Sequence, residues 1–352
     1  MKTKYLIDDE ILILQLHKEY CIQAVSVEFI PMGDSAYSYR VNCCNGDTYY
    51  LKLFDHKHDR QRKAVERLQN YLPLTWTLYH SCYLTNITYP IKKQNGEFIT
   101  TFNDLTFVLF PFIEGETLAE AYPFSKELLN EVAKEMALIH QVPKNIAITF
   151  IEKETFDISF ESDLLKCLSV LEGPATKKSQ IINSLRDQIV VKKEQIIYLL
   201  KLVRKLRVLA LDENKDKVLC HGDLWGGNLI LQKNKLFIID WEAAMIAPPE
   251  FDLFSYLGDE FEVFLTSYQK YINHTISLNL DLLRFYSYRH HLRNLANWLM
   301  NILYRNTDEA QNENDLEMII YHCMNRWDNI EPNIIKAEEI IKKVSLEGKT
   351  SK

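Results

Sequence analysis

The stretch Leu219-Cys220-His221-Gly222-Asp223-Leu224-Trp225-Gly226-Gly227-Asn228-Leu229-Ile230-Leu231 is followed, after Gln232-Lys233-Asn234-Lys235, by Leu236-Phe237-Ile238-Ile239-Asp240-Trp241-Glu242, and its reading decides the fold. Asp223 precedes a turn built on Gly226 and Gly227, the turn ends on Asn228, and a second carboxylate, Asp240, follows two apolar runs. Those runs, Leu229 to Leu231 and Leu236 to Ile239, are short, β-branched and separated by a polar turn, which predicts a hairpin. Asn228 and Asp240 then fall at neighbouring ends of paired strands. Oxygen ligands so placed suit a hard divalent ion such as magnesium held against a phosphate chain. Asp223, one loop away, can accept a proton or orient a hydroxyl.

Upstream, the pattern turns to strands. An amphipathic helix over residues 8–20 leads into Val25 to Ile30, then Tyr39-Arg40-Val41, a turn at Asn45-Gly46-Asp47, and Thr48 to Phe54. The loop from Gly33 to Ser38 can lie over phosphates, with backbone N–H groups and the Ser35 hydroxyl as donors. Lys52 sits inside an apolar strand, where a charged group needs a partner or a route to water. Glu66, in a predicted helix that begins at Asp59, is the candidate partner. Leu105 to Glu116 reads as a buried strand broken by Pro111 and Gly115, and sets the boundary between a lobe of residues 1–110 and a lobe of residues 111–352.

Beyond that boundary the chain predicts helices. Leu128 to His140 carries Leu129, Val132, Ala133, Met136, Ala137 and Ile139 near helical spacing. Residues 155–215 form a long charged helical region with a broad apolar stripe and no assignable chemistry, and the C-terminal third is helical as well.

With 352 residues the chain is long enough for two core-forming units. Its formal charge of −7 argues against a nucleic-acid footprint. Seven cysteines without a C-x-x-C spacing fit neither a disulfide framework nor a common zinc pattern, so a reducing cytoplasm is the expected compartment. No run of 18 apolar residues is available to span a membrane, and none is expected to do so.

The spacing His-x-Asp-x-x-x-x-Asn followed by an Asp resembles the catalytic loop and metal-binding aspartate of the protein kinases. With Gly222 after the histidine and Trp241-Glu242 after Asp240, it is similar to the aminoglycoside phosphotransferase family of small-molecule kinases. The likeness extends to Phe29-Ile30, Gly33, Tyr50-Leu51-Lys52-Leu53, Pro111-Phe112-Ile113, Met245-Ile246-Ala247-Pro248, Tyr288-Arg289-His290 and Arg305-Asn306. It implies a two-lobed, kinase-like α+β fold, with an antiparallel sheet plus helix in the N-terminal lobe and a mostly helical C-terminal lobe.

The resemblance also implies roles. ATP and magnesium are the expected cofactors, with Gly33 and Ser35 at the phosphates, Lys52 on the phosphates and Glu66 orienting Lys52. Phe110 would back the adenine, with the Pro111 carbonyl and the Ile113 N–H bonding its edge. Asp223 would be the catalytic residue, and Asn228 and Asp240 the metal ligands. A monomer acting on a small cationic acceptor is implied, an aminocyclitol or aminoglycoside with spectinomycin first. Glu242, Glu250, Asp259, Glu260 and Glu262 are the carboxylates expected to attract its amines. Trp225 stands where antibiotic kinases usually carry histidine, and His-Gly-Asp-Leu-Trp-Gly-Gly-Asn is similar to the ketosamine kinases. A ketosamine, choline or another amino-alcohol is therefore the alternative acceptor.

Overall fold

The computed structural model describes residues 3–33, 35–173, 180–213, 216–272, 277–306 and 308–350. Asp34, in the loop expected over the phosphates, lies outside them. The chain divides into two compact units, one of Met1–Lys153 with Val218–Ile246 and one of Glu154–Lys217 with Ala247–Lys352.

The first unit opens with α1 (Asp9–Tyr20), whose N-terminus is capped by the Asp8 side chain accepting from the Glu10 N–H. Strands β1 (Ala24–Ile30), β2 (Tyr37–Cys43) and β3 (Thr48–Asp55) follow, then α2 (Asp59–His80), β4 (Thr100–Phe102) and β5 (Leu105–Pro111). The strands form one antiparallel sheet in the order β1-β2-β3-β5-β4.

Because side chains alternate along a strand, register sorts the residues onto two faces. Tyr39 pairs with Leu51 and Leu51 with Leu109, and this face closes on Leu12, Leu16 and Tyr20 of α1 to make the core of the sheet. The opposite face carries Ser38 beside Lys52 and Val108, and Arg40 beside Tyr50 and Phe110. Lys52 is therefore on the face away from the α1 core.

The same unit holds α3 (Lys126–His140), capped by the Ser125 hydroxyl, and the short α4 (Lys144–Ala147). It also holds β6 (Val218–Cys220), the antiparallel hairpin of β7 (Leu229–Gln232) and β8 (Lys235–Ile238), and β9 (Met245–Ala247). The hairpin belongs to this unit although the helices Glu161–Glu172 and Gln180–Asp212 come between it and β5 in the chain. Backbone bonds from Ile238 N to Asn86 O (2.9 Å), Thr88 N to Ile238 O (3.1 Å) and Leu118 N to Leu229 O (3.0 Å) stitch the hairpin to segments flanking β5. Ile87 forms a parallel bridge to Ile238.

The second unit is helical among the described residues: α5 (Glu161–Glu172), α6 (Gln180–Asp212), α7 (Glu250–Leu253), α8 (Phe261–Tyr271), α9 (Leu280–Met300), α10 (Glu309–Glu317) and α11 (Trp327–Thr350). α9 is its spine, packed against α5, α6, α7 and α11. Arg289 on α9 is nearly buried, pairs with Glu154 at 2.6 Å, and lies over the rings of Phe285 (4.9 Å) and Tyr286 (5.0 Å). A charge so deep persists because both partner and aromatic faces are supplied. α5 and α6 supply the helices expected over residues 155–215, of which 174–179, 214 and 215 lie outside the described residues.

Candidate active site

The site is built from the first unit alone. His221 follows the end of β6, is fully buried and locks the loop: its Nε2 lies 3.0 Å from the Ile239 carbonyl, and its Nδ1 accepts from the Asp223 N–H at 3.3 Å. The acceptor role of Nδ1 assigns the proton to Nε2, which donates to the carbonyl. The Trp241 ring packs edge-on against this imidazole, with centroids 4.9 Å apart. The fixed histidine thus ties the loop carrying Asp223 to the strand end carrying Asp240.

The turn between Asp223 and Asn228 requires glycine for reasons of space. A Cβ on Gly226 would lie 2.3 Å from the Leu118 carbonyl oxygen, and the Gly226 N–H donates to the Tyr122 hydroxyl at 2.9 Å. So tightly held, the turn delivers Asn228 to Asp223: the Asn228 amide nitrogen donates to Asp223 Oδ2 and to the Asp223 carbonyl, each at 2.8 Å. Those bonds orient the amide so that its Oδ1 faces away from Asp223. Asn228 is buried, whereas Asp223 is exposed and open to an acceptor.

Asp240 has φ 62° and ψ 67°, a left-handed conformation that costs a non-glycine residue energy and is held by its surroundings. Lys52 Nζ lies 2.8 Å from Asp240 Oδ1 and 3.1 Å from Glu242 Oε1. The Ser35 hydroxyl donates to the same Glu242 oxygen at 3.4 Å. Burial pushes the Asp240 carboxyl up, but the Lys52 ammonium, bonded to it, overrides burial and holds it below its ordinary value. Burial likewise works against the charge on Lys52, and Asp240 with Glu242 reverses this, raising its pKa well above the ordinary lysine value. The ammonium sits between two carboxylates.

One expected partner is absent. Glu66 is exposed, and both ion pairs of Lys52 run to Asp240 and Glu242. The inward face of α2 is Gln61, Ala64, Leu68, Tyr71, Leu72 and Thr75. At 3.6 residues per turn, Glu66 falls on the far side.

The expected adenine-bonding positions are together at the end of β5: Phe110 is buried opposite Tyr50, Pro111 pairs with Tyr49, and the half-buried Ile113 follows. Sequence reasoning missed their neighbour Arg40, which pairs with Glu114 at 2.6 Å and lies 4.5 Å from the Phe112 ring. Its place on the Lys52 face was the available signal. The carboxylates expected to attract an acceptor amine are otherwise engaged. Glu250 is fully buried and accepts from the Asn279 N–H at 2.6 Å, while Asp259 pairs with Lys336 (2.8 Å) and Glu262 with Lys343 (2.5 Å). Glu242 is taken by Lys52, and Glu260 remains on the surface. Lysines of α11 neutralise what the sequence presents as an acidic cluster.

A five-stranded antiparallel sheet bearing Lys52, with Asp223 and Asn228 on one loop and Asp240 just past the following hairpin, is the arrangement of a kinase-like phosphotransferase fold. A profile of the phosphotransferase enzyme family matches residues 26–286, and the chain belongs to that family. It is a phosphotransferase. Protein StrN of Streptomyces griseus is 24% identical over 232 residues, covering 64% of this chain and 67% of that protein. Spectinomycin phosphotransferase APH(9)-Ia, solved with ADP and spectinomycin, superposes with a TM-score of 0.73 at 19% identity, covering 97% of this chain and 99% of that one. Amicoumacin kinase hAmiN, solved with AMP-PNP, calcium and amicoumacin, superposes at 0.55 with 15% identity, covering 89% and 93%. These likenesses carry the fold. Among the described residues, no helix is long and apolar enough to cross a membrane.

Proposed function

We propose that the protein transfers the γ-phosphoryl group of ATP, with magnesium, to a hydroxyl of an aminocyclitol or aminoglycoside, spectinomycin being the first candidate. The observation that supports it most is the grouping of Asp223, Asn228, Asp240 and Lys52 in one unit, with Asp223 exposed and the other three drawn inward.

Magnesium fits the donor set. Asn228 Oδ1, turned away from Asp223, and the carboxylate of Asp240 are hard oxygen donors of the kind the ion takes, with Glu242 beside them. When bound, the ion would supply charge neutralisation between the phosphates. Asp223 orients the acceptor hydroxyl and takes its proton as the new O–P bond forms, and Asn228 keeps the carboxylate in place for this. Lys52 leaves its carboxylates to meet the phosphate oxygens, joined by Ser35 and the backbone near Gly33. Phe110, Pro111 and Ile113 receive the adenine. Most of the acceleration is positioning and electrostatics.

The acceptor class rests on the near-complete superposition with the spectinomycin enzyme. Trp225, 44% exposed on the catalytic loop, favours a second reading, a ketosamine or amino-alcohol as acceptor. An ATP-consumption screen over aminocyclitols, aminoglycosides, ketosamines and amino-alcohols tests both. Spectinomycin as the most efficient acceptor supports the first reading. A neutral or anionic hydroxyl compound turned over faster than every cationic one ends both.

A further inference from the structure

α2 packs against β3, which carries Lys52, and against the turn Trp241–Ala243, which carries Glu242. Its inward face carries Tyr71, 4% exposed, whose hydroxyl is buried and has no hydrogen-bond partner. An unbonded hydroxyl in the interior is a cost that phenylalanine would avoid. Its neighbours include Lys52, Glu242, Asp240 and Tyr50: burial drives the phenol well above its ordinary pKa, Lys52 opposes this, and the two carboxylates add to it. Tyr71 is therefore a neutral O–H donor at any working pH.

The charge count of the cluster shows when that donor is needed. Without nucleotide, one ammonium serves both Asp240 and Glu242. A polyphosphate competes for the same ammonium, and Glu242 then keeps only the long bond from Ser35. We propose that Tyr71 is a positioning residue: when Lys52 turns to the phosphates, the Tyr71 hydroxyl donates to the Glu242 carboxylate that Lys52 has left. This rests on the phosphotransfer reading above. It gives α2 a role in nucleotide binding through a phenol, while Glu66 on the same helix faces solvent.

The test is Tyr71→Phe, measured by calorimetry with magnesium and ADP and by thermal unfolding without ligand. The ligand-free midpoint stays level or rises, since no bond is lost there. Affinity falls about ten-fold, the worth of one hydrogen bond to a charged acceptor, and the KM for ATP rises by the same factor with kcat nearly unchanged. In a Glu242→Ala background the same replacement changes affinity by less than about two-fold, because the acceptor is gone. Unchanged affinity in the single variant, a lowered midpoint with unchanged affinity, or a full loss in the Glu242→Ala background each overturns the role of Tyr71. A wild-type chain that binds no nucleotide overturns the nucleotide site and this role with it, so the two failures are told apart.

Discussion

The Glu242 carboxylate stands 3.1 Å from the Lys52 ammonium, on the turn that follows Asp240 and not on the helix after β3. Glu66→Gln should therefore leave turnover and stability near wild type, as exposed substitutions do. Glu242→Gln should lower kcat/KM by about 10- to 100-fold, since Lys52 loses part of what orients it. Steady-state kinetics on the two variants decide the matter. The reverse order of effects would restore Glu66 to the site.

Asp223→Asn should leave nucleotide affinity nearly intact while turnover falls by roughly 10²- to 10⁴-fold, because only the proton-accepting and hydroxyl-orienting role is lost. Isosteric replacement keeps an acceptor for the Asn228 amide, so the loop should hold its shape. Calorimetry with ADP and a phosphoryl-transfer assay on the same preparation separate the two quantities. Wild-type turnover would remove Asp223 from the chemistry.

The Lys52–Asp240 pair makes a statement about pH. The folded pKa of Asp240 is lowered, so its contribution to stability is present above the unfolded value of about 3.9 and is lost as pH falls through the folded value below it. The folded pKa of Lys52 is raised, so its contribution is complete below about 10.4 and is lost only as pH climbs through the still higher folded value. The pair should be intact across the whole neutral range. Unfolding midpoints of wild type and Asp240→Asn should differ by a constant amount from about pH 6 to 9 and converge below about pH 4. Convergence near pH 6 would show that Lys52 does not hold the carboxylate down.

What the sequence made legible follows from the range over which each signal acts. The β7–β8 hairpin and the loop before it are local, and apolar runs, turn residues and glycine spacing were enough to place Asn228 and Asp240. Lys52 was legible because a charge in an apolar strand demands an explanation. Glu66 was chosen by residue type and not by helical phase. The stripe through Ala64, Leu68 and Tyr71, visible in the sequence, already turned it to solvent. Tyr71 itself reads as ordinary core until its unbonded hydroxyl is seen. The burial of Glu250 depends on Asn279, 29 residues away, a separation at which no local pattern acts.

The acceptor side yields the last prediction. Asp259 and Glu262 looked like an acidic lure for an amine, but each pairs with a lysine of α11. A surface ion pair presents little net charge to an approaching cation and contributes little to stability. Asp259→Asn and Glu262→Gln should therefore leave the KM for a cationic acceptor within about two-fold of wild type and stability near that of wild type. Glu250→Gln should behave differently, destabilising the second unit by about 1–3 kcal/mol, because a buried carboxylate bonded to the Asn279 N–H at the start of α9 is replaced by an amide that bonds it less strongly. Acceptor kinetics and thermal unfolding on the three variants separate attraction from architecture. A large rise in KM for Asp259→Asn or Glu262→Gln, with stability unchanged, would return those residues to the acceptor site.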